Sequence, residues 1–308
     1  VVDRARRMVL RDRNHACVCI WSLGNEAGDG DNFKYMKQTI LYHDDSRPVH
    51  YEGDFDLTTS DFISRMYPDA AMMEKLGNRL PITVSAFENV ANSLAADNKP
   101  IPAEKYHGKP VVLCEFAHAM ENSLGNFQEF MDAFEKYENL CGGFIWDFVD
   151  QAIHKRVGGA DQWLYGGDFD EGATSGYFCA NGIVAADRTP HPSYDEVKKV
   201  YQPVKVEAKD LLSGRLLVRN KFLFKDLSGL QLIWSVQAAG KTIQSGREEA
   251  LNVPPGTAKE LRLPYDITAL PAAECILTVS FVTTQEQRWA EAGFEVAWDQ
   301  FLLKKEVD

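Results

Sequence analysis

Two glutamates in this chain occupy matching positions, each at the end of an apolar run of strand length. Glu26 closes the run that begins at Cys17, and Glu115 closes the run that begins at Pro110. The carboxyl ends of buried parallel strands are where α/β barrels place their reacting side chains. Two carboxylates on different strands can flank one substrate bond as general acid and nucleophile.

Unrelated surface ion pairs are the alternative explanation for these glutamates. For a single strand-end glutamate, that explanation would be preferred. The same pattern occurs here in two separate segments of the sequence, which favours a paired role. We therefore predict that Glu26 and Glu115 face one site.

Four more side chains stand at or near the ends of predicted strands. Asn25 precedes the first glutamate, and its amide could hydrogen-bond a sugar hydroxyl. Tyr67 ends another strand and could donate to a carboxylate, while His118 lies three residues beyond the second glutamate. Trp146 offers an aromatic wall for the apolar face of a sugar ring. Each alone has an ordinary structural explanation: half-buried aromatic, helix or loop cap, or core residue.

Short apolar runs alternate with longer segments up to about residue 201, as expected of parallel strands covered on both faces. Helical periodicity occupies 32–43 and 125–137, and the second helix carries a stripe of phenylalanines that we interpret as core packing. Long connections over 69–107 and 151–192 are of the kind that is usually functional. The predicted strands are 17–23, 48–52, 62–67, 111–116 and 143–148.

The pattern changes after residue 201, where helical signals end and alternation with a period of two begins. About a hundred residues of evenly spaced short strands are typical of an immunoglobulin-like β-sandwich. We therefore predict two domains, 1–201 and 202–308, with no catalytic constellation in the second. The predicted strands of this part are 215–224, 230–238, 259–263, 275–282 and 294–302.

Charge and composition exclude several classes of partner. The net charge of −12 argues against a nucleic acid or an anionic membrane surface, since both would require a basic face. No apolar run has the length of a transmembrane helix. The six cysteines lack zinc-binding spacing, and Cys17, Cys19 and Cys114 lie in apolar runs. We predict reduced core cysteines and a cytoplasmic protein.

Five motifs spread along the whole chain strongly resemble glycoside hydrolase family 2, and in particular its large multidomain bacterial β-galactosidases. They are Arg11-Asp-Arg-Asn-His15, Ile20-Trp-Ser-Leu-Gly-Asn-Glu26, Leu113-Cys-Glu-Phe-Ala-His-Ala-Met120, Gly142-Gly-Phe-Ile-Trp-Asp147 and Ala186-Asp-Arg-Thr-Pro-His-Pro192. The resemblance implies a retaining β-galactosidase that hydrolyses terminal β-D-galactosides such as lactose through a galactosyl-enzyme intermediate.

The resemblance also implies roles for individual residues. Glu26 would be the general acid/base, Glu115 the nucleophile and Tyr67 the group that orients it. The sugar contacts implied are Asn25, His118 and Trp146. A sodium site would use the main-chain oxygen of Phe178 and the side chain of Asn181. A magnesium ion would be held by Glu26 and a Glu-x-His pair that this sequence does not contain.

By the same resemblance, the chain would hold strands four to eight of a (β/α)₈ TIM barrel, followed by the β-sandwich. The opening residues, Val1 to Met8, have the pattern of the middle of an amphipathic helix, so we expect the sequence to begin inside a longer protein. Its partners would be the substrate and the missing N-terminal part of the parent chain. The family favours a homo-oligomer, and we expect the isolated fragment to be inactive.

Two alternatives remain open from the sequence. The first is a sibling enzyme of the family, a β-glucuronidase or β-mannosidase, which the Gly-Asn-Glu and Cys-Glu-Phe-Ala-His strings disfavour. The second is a non-catalytic folding or interaction module. Comparing turnover of galactoside, glucuronide and mannoside substrates would separate the enzymes, and an assay of the fragment alone would test the module.

Overall fold

A computed structural model describes residues 1–83, 100–248 and 251–304. The chain divides into two compact units, Val1–Val197 and Lys198–Asp308. The helices in the described residues are α1 (Val2–Asp12), α2 (Asp31–His43), α3 (Ala70–Gly77), α4 (Phe127–Lys136) and α5 (Pro192–Val200). The predicted division after residue 201 stays a prediction.

The strands of the first unit include the five that the sequence predicts; β6 has its predicted range, and the other four are shorter than or shifted from theirs. All pairings among those five are parallel: β1 pairs with β2, and β6 lies between β3 and β7. The strands are β1 (Trp21–Ser22), β2 (Val49–His50), β3 (Ile63–Met66), β4 (Ile82–Thr83), β5 (Pro100–Ile101), β6 (Val111–Phe116), β7 (Leu140–Ile145), β8 (Ile153–Val157) and β9 (Ala160–Leu164).

Helix α4 packs its predicted phenylalanine stripe against β6. The buried ring of Phe116 lies 5.5–5.8 Å, between ring centroids, from three phenylalanines of this helix. Such aromatic pairs contribute about 0.5–1.5 kcal/mol each beyond the area that they bury. Because Phe116 follows Glu115 directly, this packing also fixes the end of β6 that carries the second glutamate. The three rings are those of Phe127, Phe130 and Phe134.

A separate core surrounds the first strand pair. Trp21 of β1 and Val49 of β2 pack with buried side chains of α1 and α2. The indole Nε1–H of Trp21 donates to Asp44, the residue that follows α2, at 2.9 Å. This bond ties the end of α2 to the strand that leads to Glu26.

The two segments predicted as long connections contain regular structure. Helix α3 lies within 69–107 and is capped by the Asp69 carboxylate, which accepts from the backbone N–H of Met72. The β8–β9 hairpin lies within 151–192 and turns at Gly158 and Gly159, both with positive φ, as a tight two-residue hairpin requires. The prediction of irregular structure was therefore wrong in both segments, while 84–99 lies outside the described residues.

The second unit consists of two antiparallel sheets around one core. One sheet has the order β10–β11–β14 and the other β13–β12–β15–β16, and buried side chains from both belong to a single apolar cluster. The sequence missed β10 and β13. The strands are β10 (Val204–Asp210), β11 (Arg215–Asn220), β12 (Leu230–Ala238), β13 (Lys241–Glu248), β14 (Ala258–Arg262), β15 (Cys275–Thr283) and β16 (Glu295–Lys304).

All six cysteines are free, but the prediction that they are core residues was wrong for several. Cys17 and Cys19 are exposed because their segment is not a strand: β1 begins only at Trp21, and its one hydrogen-bonded strand in the described residues is β2. Cys141 is also exposed, whereas Cys275 is buried. No helix in the described part of the chain is both long and apolar enough to cross a membrane.

Candidate active site

All of the predicted site residues except Asn181 line one cleft of about 800 Å³ at the carboxyl ends of the parallel strands. Asn25 and Glu26 follow β1, Tyr67 follows β3, and Glu115 is the second-last residue of β6. Among the described residues, the lining is Asn25, Glu26, Arg65, Met66, Tyr67, Pro68, Asp69, Met72, Thr83, Glu115, His118, Trp146 and Phe178.

Glu115 and Tyr67 form the central hydrogen bond of the cleft. The phenol O–H of Tyr67 donates to Oε2 of Glu115 at 2.6 Å, and the backbone N–H of Tyr67 donates to the carbonyl oxygen of Glu115. Burial raises the pKa of Glu115, and repulsion from Glu26 and Glu52 adds to the increase, while the Tyr67 hydrogen bond opposes it. The phenol therefore favours the charged form of a carboxyl group that its surroundings disfavour.

Glu26 lies on a strained turn facing this pair. Its φ of 48° is in the left-handed region that residues other than glycine rarely adopt. The negative charge of Glu26 contributes to raising the pKa of both Glu115 and Tyr67. Glu52 accepts a hydrogen bond from the backbone N–H of Glu26 at 2.5 Å.

Left-handed backbone recurs around the cleft. Tyr67 has a φ of 45° and Ala117, between Glu115 and His118, has a φ of 49°. Strained residues of this kind persist only where the surrounding structure holds them, and they concentrate at functional sites. Here they turn the chain sharply just after three different strands, which directs side chains into the cleft.

Aromatic and imidazole rings also line the cleft. The ring of His118 lies 5.6 Å from that of Tyr67 and 5.8 Å from that of Phe178, measured between centroids. Burial lowers the pKa of His118, and the nearby Asp147 carboxylate partly offsets this. Trp146 lies at the end of β7, where its backbone joins the end of β6 through hydrogen bonds to Phe116 and Ala119. Together the rings make an apolar wall with one polar edge.

Phe178 and Asn181 lie together as the sodium prediction requires, although Asn181 does not line the cleft itself. The side-chain Nδ2 of Asn181 is 3.2 Å from the carbonyl oxygen of Phe178. Asn181 is buried, and its Oδ1 has no hydrogen-bond partner in the described structure. A buried oxygen without a hydrogen-bond partner and a nearby carbonyl oxygen are the kind of ligands that a hard cation such as sodium prefers.

Magnesium does not fit the described residues in the same way. No group of three or more histidine, cysteine, aspartate or glutamate side chains in the described ranges is arranged to hold a metal ion. Of the magnesium ligands that the resemblance implies, this sequence contains Glu26 and lacks the Glu-x-His pair. No step below depends on that ion.

Sequence reasoning missed the buried Glu52, whose carboxylate acts on both predicted catalytic residues. The predicted strand over 48–52 ends at Glu52, so the strand-end rule that identified Glu26 and Glu115 would have identified it as well. Arg65 was also missed; it lines the cleft and donates to the carbonyl oxygen of Glu52 at 3.3 Å. The signal available in the sequence was an arginine within an otherwise largely apolar predicted strand.

Two family models match most of the chain. Residues 1–206 match the family model described as "Glycosyl hydrolases family 2, TIM barrel domain". Residues 216–304 match "Beta-galactosidase, domain 4". The chain therefore belongs to glycoside hydrolase family 2, which confirms the resemblance noted in the sequence.

Curated relatives are considerably longer than this chain. It is 38% identical to a β-galactosidase of Priestia megaterium, with 98% of this chain and 27% of the relative covered. It is 39% identical to a β-galactosidase of Klebsiella pneumoniae, with 97% and 28% covered. Among solved structures, a family 2 β-galacturonidase from Eisenbergiella tayi bound to galacturonate has a TM-score of 0.42 and 18% identity, covering 65% of this chain and 36% of that chain.

Proposed function

We propose that this chain carries the two catalytic carboxylates of a retaining β-galactosidase that hydrolyses terminal β-D-galactosides. The observation that carries the proposal is the cleft itself: Glu26 and Glu115 come from the ends of different strands and line one cavity, and Tyr67 hydrogen-bonds one of them. The β-galactosidases at 38% and 39% identity support galactose as the sugar.

In the first step, a carboxylate oxygen of Glu115 attacks the anomeric carbon and forms a covalent ester bond. The bond from that carbon to the glycosidic oxygen breaks, and its electron pair stays on the oxygen. Glu26 in its protonated form transfers its proton to that oxygen, so the leaving group departs as a neutral alcohol.

The second step reverses these roles. A water oxygen attacks the anomeric carbon while the carboxylate of Glu26 accepts a proton from the water. The ester bond to Glu115 breaks, and its electron pair returns to the carboxylate, where the Tyr67 O–H stabilises the recovered charge. Two inversions at one carbon give retention of configuration.

The remaining predicted residues hold the sugar. We assign Asn25 to a hydroxyl next to the reacting carbon, His118 to a second hydroxyl and Trp146 to the apolar ring face. All three line the cleft with the glutamates. An indole face suits a pyranose because the sugar presents a patch of C–H groups there.

We infer a sodium site at Phe178 and Asn181. The unpaired Oδ1 of Asn181 and the neighbouring carbonyl oxygen of Phe178 support it. When bound, sodium would supply a positive charge that can hold a hydroxyl oxygen of the sugar. Asn181 keeps the Phe178 loop in place beside His118 through its own hydrogen bond.

We also infer that the first unit corresponds to strands four to eight of a TIM barrel and that the second is an immunoglobulin-like sandwich. The five parallel strands with catalytic side chains at their carboxyl ends support the first statement, and two antiparallel sheets around one core support the second. Since the chain spans 27–28% of its curated relatives, we expect the isolated chain to be inactive. A cytoplasmic location and a homo-oligomer stay predictions.

The proposal is tested with the full-length protein and three nitrophenyl substrates. We expect turnover of the β-galactoside and little of the β-glucuronide or β-mannoside, with the first-formed sugar product, observed by NMR, being the β-anomer. Preferred turnover of either other sugar would contradict the substrate, and an α-anomer product would contradict the retaining mechanism.

A further inference from the structure

Two adjacent buried side chains hold the turn that carries Glu26. Tyr51 and Glu52 directly follow β2, and both side chains are almost completely removed from solvent. Burying a carboxylate costs considerable free energy unless hydrogen bonds compensate it. A buried glutamate beside a reactive site therefore requires an explanation in terms of what it binds.

The contacts of this pair are concentrated on residues 26–28. Oε1 of Glu52 accepts the backbone N–H of Glu26. The phenol of Tyr51 accepts the backbone N–H of Ala27 at 3.3 Å and donates to the carbonyl oxygen of Gly28 at 2.5 Å. Backbone groups of three consecutive residues after the cleft-lining Asn25 are thus held by two neighbouring side chains.

The pair is itself rigidly supported. The ring of Tyr51 stacks on Phe33 of α2, with centroids 4.1 Å apart and planes 19° from parallel. The carbonyl oxygen of Glu52 accepts from the guanidinium of the buried Arg65. These contacts come from α2 and β3, so the two side chains link the turn at residues 26–28 to both of these elements.

The left-handed backbone conformation of Glu26 needs support from hydrogen bonds such as these. A φ of 48° is unfavourable for glutamate by about 1–3 kcal/mol and must be held by its surroundings. The orientation of the Glu26 peptide sets the direction in which its side chain leaves the backbone. A general acid loses efficiency when its carboxyl group moves away from the oxygen that it protonates.

We propose that Tyr51 and Glu52 form a positioning clamp, in which their side chains hold the backbone of residues 26–28 so that the Glu26 carboxyl group faces the glycosidic oxygen. Glu52 is a positioning residue here: it acts through the peptide of Glu26 and does not contact the sugar. The inference rests on the proposed function, because it requires Glu26 to be the proton donor.

The test compares leaving groups in the full-length protein. In Glu52→Ala we expect kcat/KM, which reports the first step, to fall at least about tenfold further for a poor leaving group, methyl β-galactoside, than for dinitrophenyl β-galactoside. General acid catalysis contributes about 10²–10⁴ in rate, and only the alkyl substrate needs it fully. Glu52→Gln keeps an oxygen acceptor and should recover most of the difference. Tyr51→Phe should show the same substrate dependence, with a smaller size.

Asp54→Asn is the matched control. Asp54 is another buried carboxylate of the same segment, but it accepts from the backbone of Thr58, Thr59 and Ser60 in its own loop. We expect this change to lower the thermal midpoint of unfolding and leave the ratio of the two kcat/KM values unchanged. If Glu52→Ala does not fold, Glu52→Gln and Tyr51→Phe decide the question.

Glu26→Gln separates failure of the clamp from failure of the proposed function. If Glu26→Gln discriminates between the two substrates and the folded Glu52→Ala and Tyr51→Phe variants do not, the clamp is contradicted and the function stands. If Glu26→Gln itself does not discriminate, the assignment of the proton donor is wrong. Equal losses on both substrates for every clamp variant would indicate a structural role only.

Discussion

At the scale of single residues, the charge state of Glu115 depends on its hydrogen bond with Tyr67. As the proposed nucleophile, Glu115 reacts as a carboxylate, so we expect activity to be lost as the pH falls through its pKa. Burial raises that pKa and the Tyr67 O–H lowers it. Tyr67→Phe should therefore move the acid limb of the kcat/KM profile to higher pH, by about one to two units for a hydrogen bond worth about 1.5–3 kcal/mol.

An unchanged acid limb in folded Tyr67→Phe protein would show that the phenol does not set the charge of Glu115. His118→Asn offers a comparison within the same cleft, since His118 contacts the Tyr67 ring at its edge and does not hydrogen-bond the carboxylate in the described contacts. We expect that variant to raise KM more than it moves the acid limb.

The two glutamates should differ in how their loss depends on the substrate. Glu115→Gln removes the nucleophile and keeps its shape, so turnover should collapse for every leaving group. Glu26→Gln should slow poor leaving groups by about 10²–10⁴ and activated aryl galactosides far less in the first step, because only the former need the proton. Steady-state and single-turnover kinetics measure both. Equal losses in Glu26→Gln would refute its role as the acid.

Much of the cleft could be predicted from local sequence, because strand-end position is a local property. Glu26, Glu115 and Tyr67 each follow an apolar run, and parallel strands bring such positions to one edge. Phe178 and Asn181 have no such signal: they lie in a long segment without predicted strands, and only the resemblance to a family indicated them. Hydrogen bonds such as that from Glu26 to Glu52 depend on tertiary structure and could not be predicted from the pattern.

At the scale of elements, close packing between β6 and β7 positions Glu115, the proposed nucleophile. A Cβ atom on Gly143 would lie 2.9 Å from both Cβ of Leu113 and Cδ1 of Phe116, which is closer than carbon atoms approach in folded proteins. Gly143→Ala should force β7 away from β6 and destabilise the protein by about 1–3 kcal/mol. It should also lower kcat, because Phe116 adjoins Glu115.

Gly108→Ala is the control for that change, since nothing lies within 4 Å of a Cβ atom built there. Calorimetry should show a clear fall in the unfolding midpoint for Gly143→Ala and a change within about 0.5 kcal/mol for Gly108→Ala. Equal stability of the two variants would mean that β7 can move away from β6 without lowering the free energy of unfolding.

Element types were predictable where periodicity is strong. The stripe of α4 and the alternation along β12 and β15 each report one buried face, and both patterns correspond to the observed elements. Helix α3 has only eight residues, too few for a clear period, and its main signal is the cap at Asp69. The β8–β9 hairpin is exposed along almost its whole length, so its residues carry no apolar alternation.

At the scale of the whole molecule, the described strands leave uncovered edges. Strand β7 has β6 as its one hydrogen-bonded neighbour in the described residues, and near it Phe144 and Phe148 are each 63% exposed. Unpaired backbone groups beside apolar side chains favour association. We expect the purified 308-residue chain to self-associate in sedimentation experiments as concentration rises. Phe144→Ser with Phe148→Ser should weaken this, and Tyr42→Ser, an exposed residue of α2, should not.

A strictly monomeric chain at high concentration would contradict that expectation, as would equal association of the double variant and the Tyr42 control. The same preparation should lack galactosidase activity, since we expect parts of the sugar site to lie outside this chain. Turnover at the level of the full-length protein would show that the described cleft is sufficient by itself.

Covalent trapping tests the central claim most directly. The full-length protein is incubated with an activated 2-deoxy-2-fluoro-β-galactoside, which slows release of the glycosyl-enzyme ester more than its formation, and the labelled peptide is sequenced by mass spectrometry. The account predicts one fluorogalactosyl group per active site, attached to Glu115, and no label in Glu115→Gln. A label on Glu26 or on any other carboxylate, or steady turnover of the reagent with no label, would contradict it.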